Sequence, residues 1–97
     1  MKTETATKYA VWKYELPIGR SFELQIPHYG RILALKTQRG KPTLWVLVNT
    51  ENEKKKRKFE LVGTGHPVSQ DAFNGKHLGT VLVENDTLVF HLFERAG

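Results

Sequence analysis

Ser21-Phe22-Glu23-Leu24-Gln25-Ile26 alternates polar and apolar side chains without a break. A period of two sends Phe22, Leu24 and Ile26 to one face and Ser21, Glu23 and Gln25 to the other, the pattern of a half-buried β-strand and not of a helix. Pro27-His28-Tyr29-Gly30 follows, and residues of those types turn a chain. On the other side, Lys8 to Leu16 repeats the alternation, with Ala10, Trp12 and Tyr14 opposed to Tyr9, Val11 and Lys13, and Pro17-Ile18-Gly19 separates the two runs.

Arg31 to Gln38 and Leu44 to Val48 are less regular, because Ile32-Leu33-Ala34-Leu35 and Leu44-Trp45-Val46-Leu47-Val48 are apolar on both faces. Such runs suit central strands covered on both sides, or a strand whose outer face meets another subunit. Arg57 to Val62 forms a further strand with Phe59 and Leu61 inward, and Gly79 to Val83 and Thr87 to Phe93 flank the short connection Glu84-Asn85-Asp86. Pro67 to Lys76 has no period and reads as a loop or one helical turn closed by Asn74-Gly75. The expectation is an all-β fold, a small antiparallel sandwich or partly open barrel of about seven strands. Residues 1–7 are expected to be a flexible tail and 8–97 a single β domain.

A chain of 97 residues, 39% of them hydrophobic, is long enough for one core. With no cysteine there is neither a disulfide framework nor a thiolate metal site, in keeping with a reducing compartment. No stretch approaches the roughly 18 apolar residues of a membrane span, and Met1-Lys2-Thr3-Glu4-Thr5 opens no signal peptide. We therefore expect a cytoplasmic protein with no membrane partner. Fifteen Lys and Arg against ten Asp and Glu leave a charge of +5, which attracts anionic ligands or acidic proteins. Five of those cations form Lys54-Lys55-Lys56-Arg57-Lys58, which reads either as a solvated hairpin tip or as charge for a ligand.

Val62-Gly63-Thr64-Gly65-His66-Pro67 stands just behind that run. Two glycines around a threonine make a loop whose backbone N–H groups can face an anion, although the spacing matches neither the dinucleotide fingerprint nor the phosphate loop of nucleoside triphosphatases. His28, His66, His77 and His91 have no metal-ligand spacing, so no metal and no cofactor are expected. Ser21 and Ser69 lie in no nucleophile elbow, and Glu51 and Glu53 lack the apolar surroundings that would raise a carboxyl pKa. These absences point away from an enzyme.

Lys13-Tyr14-Glu15-Leu16-Pro17, Gly30-Arg31-Ile32-Leu33-Ala34-Leu35, Leu44-Trp45-Val46-Leu47-Val48, Gly63-Thr64-Gly65-His66-Pro67, Gly79-Thr80-Val81 and Leu88-Val89-Phe90-His91-Leu92-Phe93-Glu94 together resemble a family of small phage-encoded proteins. The likeness runs over residues 8–94, and the Gly-Thr-Gly-His-Pro element with the terminal Val-Phe-His is its most specific part. It implies an accessory protein acting inside a bacterium, where such proteins counter host defence and some sequester nucleotide immune signals.

The expected function is accordingly non-catalytic sequestration of a phosphorylated nucleotide by a homo-oligomer. Gly63, Thr64 and Gly65 would hold phosphate or ribose oxygens, His66 would donate a hydrogen bond, and Lys56, Arg57 and Lys58 would supply charge. Arg31, Arg39 and Lys41 would line the rim, and Tyr29 or Phe73 would stack on a base. Two other readings stay open: an inhibitor that docks on a host defence protein through its basic segment or a sheet edge, and a single-strand nucleic-acid binder.

Overall fold

The computed structural model describes residues 8–17 and 19–96, so the expected tail over 1–7 lies outside the described residues. Seven strands form in chain order: β1 (Tyr9–Glu15), β2 (Ser21–Pro27), β3 (Arg31–Gln38), β4 (Lys41–Asn49), β5 (Lys54–Gly63), β6 (Lys76–Val83) and β7 (Leu88–Glu94). A single helical turn, α1 (Gln70–Phe73), interrupts the connection from β5 to β6. One sheet has the order β1-β4-β3 and the other β2-β5-β7-β6, with every ladder antiparallel. The expected all-β sandwich is therefore what forms, and the two sheets do not close into a barrel.

The alternation seen in the sequence decides what faces inward. Ile26, Leu44, Val46, Val48, Phe59, Leu61 and Leu92 make the shared core, and Ala10, Trp12, Tyr14, Phe22 and Leu24 pack against it from β1 and β2. Fully burying one such aliphatic or aromatic side chain stabilises the fold by about 1.5–3 kcal/mol, so this layer dominates the energetics. The two-sided apolar run in β4 is explained by its central place: Leu44, Val46 and Val48 are buried, whereas Trp45 and Leu47 lie half-buried on the outer face, opposite Lys13 and Val11 of β1.

One expectation changes. The basic run is not a hairpin tip, because β5 already begins at Lys54; its alternation leaves Lys56 and Lys58 exposed while Arg57 turns toward the interior. Glu60, on the same alternating row as Lys56 and Lys58, is only 1% exposed, since the segment after β5 folds back over it. The Ser69 hydroxyl donates to Glu60 Oε1 at 2.6 Å, the Ser69 N–H donates to Oε2 at 3.1 Å, and the guanidinium of Arg20 lies 3.4 Å away. Ser69 also caps α1 by accepting from the Ala72 N–H at 3.1 Å. The end of the chain is strapped to the same place, with Arg95 N–H bonded to Lys58 O and Ala96 N–H to Asp71 O. Gly75 has to be glycine for this approach, as a Cβ there would run into the Glu94 carbonyl.

Candidate functional site

A cleft of about 400 Å³ opens between the sheets where β3 and β6, each an edge strand, lie side by side. At one end the strands stay close: the Thr37 hydroxyl donates to Leu82 O at 2.6 Å. At the other they part, with Arg31 to Ala34 on one wall and Lys76 to Leu78 on the other. Each wall carries a break in register, between Ile32 and Ala34 in β3 and between His77 and Gly79 in β6. Bulges bend and twist a strand locally and recur beside binding sites, and here both sit on the opposed walls of one opening.

Arg57 and Glu94 form the floor. The guanidinium donates from Nε to Oε2 and from Nη2 to Oε1, both at 2.7 Å, and from Nη1 to Gly30 O at 2.7 Å. This fork-to-fork pair closes one end of the interior; the bonds to Glu94 keep Arg57 protonated beyond its ordinary range even though burial opposes it. Burial also pushes the Tyr14 phenol up, an effect that the neighbouring Arg57 charge reduces. Among the described residues, no carboxylate lies within 4.0 Å of Arg31 or Lys76. With three cations and one carboxylate, the cleft carries a surplus of positive charge facing water.

Residues 7–97 match the family described as Domain of unknown function (DUF7352). The chain belongs to that family. No curated protein and no solved structure matches it. In this DUF7352 chain the residues singled out from the sequence fall into separate places. Arg31 and Arg57 come together in the cleft, joined by Lys76, which the sequence reading missed. Only the ladder reveals Lys76, because it pairs Lys76 with Glu94. Tyr29, 84% exposed, stands at the turn before β3 and borders a second cavity that shares Arg31 with the first.

Gly63, Thr64, Gly65 and His66 lie about 20 Å along β5 from Arg57, at roughly 3.3 Å per residue. Their turn engages its own donors: Thr64 N–H bonds to Val89 O, His66 N–H to Gly63 O, and the Thr64 hydroxyl lies 2.8 Å from His91 Nε2. His91 is held from its other side by the Thr80 hydroxyl, 3.0 Å from Nδ1. Gly65 is required by its φ of 89°, so this glycine serves the turn geometry. His66 borders two small hollows of about 170 and 240 Å³. Lys56 and Lys58 stay exposed on β5. Arg39, in the tight β3–β4 turn with φ 53°, is about 25 Å along the strand from Arg31 at the same rise. Phe73, 77% exposed, ends α1.

His77 borders the cleft, but its ring packs 5.2 Å from that of Phe93 and 6.3 Å from that of His91. Among the described residues no group of three His, Cys, Asp or Glu could hold a metal, and no helix is long and apolar enough to cross a membrane.

Proposed function

We propose that this protein binds a phosphorylated, nucleotide-like anion in the cleft between β3 and β6 and does not transform it. One observation carries the reading: Arg31 and Lys76 both line a ligand-sized opening and, among the described residues, neither has a carboxylate at ion-pair distance, over a floor where Arg57 is already held by Glu94. Unpaired cations on opposed walls recognise separated oxygens of one anion, and charge-assisted contacts of this kind contribute about 1.5–3 kcal/mol each. The bound floor pair positions the walls and presents no group poised for attack. In the phage setting that the resemblance implies, holding such a molecule in the host cytoplasm would remove it from a defence enzyme, so sequestration is the biological role we assign.

Calorimetric titration of the full chain with inorganic pyrophosphate tests this. Saturable 1:1 uptake that weakens several-fold between 50 and 200 mM salt is expected, since exposed charges are screened over about 8–10 Å. No heat of binding at low salt would remove the reading.

Contact with a second copy is a further part of the proposal, favoured by the outer face of the β1-β4-β3 sheet. Val11 is 53% exposed and Trp45 half-buried on that face, apolar side chains of the kind that mark interaction sites. Sedimentation at micromolar concentration should show a dimer that Val11→Lys dissociates; a monomer at every concentration would sink self-association.

A further inference from the structure

A second cavity of about 410 Å³ lies on the outer face of the three-stranded sheet, beside the cleft, and Arg31 borders both. Its floor is apolar, with Leu47, and its sides carry Tyr9, Tyr29, Asn49 and Asn52. Tyr29 is in the left-handed region, φ 69°, where a bulky side chain is strained. Its ring is nevertheless 84% exposed and stacked on His28 with centroids 3.8 Å apart and planes at 13°, which leaves the other face of the ring open. Core packing explains none of this, and strain retained on an exposed aromatic is an outlier of the sort found at ligand clamps.

The two asparagines have fixed orientations. Asn49 Oδ1 accepts from the Glu51 N–H at 2.9 Å, so its amide nitrogen has donors to spare; Asn52 Nδ2 donates to His28 O at 2.9 Å, so its carbonyl oxygen is left as an acceptor. A donor and an acceptor beside an open aromatic face match the edge and face of a nucleobase, in which a ring acceptor and an N–H or amino donor are adjacent.

We infer that this cavity is a nucleobase subsite, so that the ligand is a nucleotide lying across Arg31, its phosphates in the β3–β6 cleft and its base against Tyr29, read by Asn49 and Asn52. The inference rests on the anion reading of the cleft and names the ligand class.

The test titrates the full chain with AMP, UMP, ribose 5-phosphate and pyrophosphate. AMP or UMP, which differ from ribose 5-phosphate by the base, should bind at least tenfold more tightly than it. Tyr29→Gly and Asn49→Ala should each erase that advantage while pyrophosphate affinity stays within twofold, and Tyr29→Gly, which relieves the strained φ, should not lower the melting temperature. Equal affinity for AMP, UMP and ribose 5-phosphate, or an advantage that survives both substitutions, overturns the base subsite and leaves the anion cleft standing. Absence of binding by all four probes overturns the cleft itself and the subsite with it.

Discussion

Replacing Glu60 by leucine is expected to destabilise the fold by about 3 kcal/mol, the lower end of the cost of removing one partner from a buried ion pair. The lower end applies because Arg20, whose side chain is 44% exposed, can regain water and Arg95 keeps its pair with Asp71, while the Ser69 hydroxyl and N–H lose their acceptor. In a domain of this size that corresponds to a fall in melting temperature of roughly 12–24 °C. Glu60→Gln keeps an acceptor for Ser69 and should cost about half as much. Burial alone would push the Glu60 carboxyl up, but the two bonds from Ser69 and the charges of Arg20 and Arg95 outweigh it and hold it below the ordinary 4.5. The carboxylate therefore contributes stability that is present above pH 4.5 and is lost as pH falls through its lowered folded value. Wild-type melting temperature should decline over that acid range, and Glu60→Gln should decline less. Thermal melts of Glu60→Leu within 1 kcal/mol of wild type would show that the network over β5 is not what holds the 64–75 segment down.

The double substitution Arg31→Ser with Lys76→Ser should weaken pyrophosphate binding about 100-fold, the result of losing two charge-assisted contacts of at least about 1.5 kcal/mol each. Both side chains are exposed, so the melting temperature should hardly move. Thr64→Val is the matched control and should leave affinity within about twofold, because the Thr64 hydroxyl is turned to His91. Calorimetry of the two variants separates the two ends of β5. A silent double variant together with a Thr64→Val chain that no longer binds would return the site to the glycine turn.

Much of this architecture was legible in the alternation of Phe22, Leu24 and Ile26 and of Phe59 and Leu61, since a period of two states which face is buried without reference to any partner strand. The two-sided apolar run of β4 was legible as a central strand, but the similar run Ile32-Leu33-Ala34-Leu35 lies in an edge strand, β3, where the facing sheet rather than a second neighbour takes up its apolar side chains. Glu60 was not. It continues the polar row of Lys56 and Lys58, and only the return of Ser69 and Arg95 across the sheet turns a solvent position into a buried one. The cleft was half legible: Arg31 and Arg57 were chosen for their charge, but Lys76 joins them through a β6–β7 register that no local pattern contains. The Gly63–His66 turn drew attention through its composition, yet composition does not say whether backbone donors point to a ligand or to Val89 and Gly63 of the same chain.

The most direct measurement of the central claim is a two-dimensional amide NMR titration of the ¹⁵N-labelled protein with pyrophosphate. The account predicts that the amides of Arg31–Ala34 and Lys76–Leu78 shift together along one saturation curve while those of Gly63–His66 stay in place. Shifts confined to Gly63–His66, with the walls of the cleft unmoved, would contradict it.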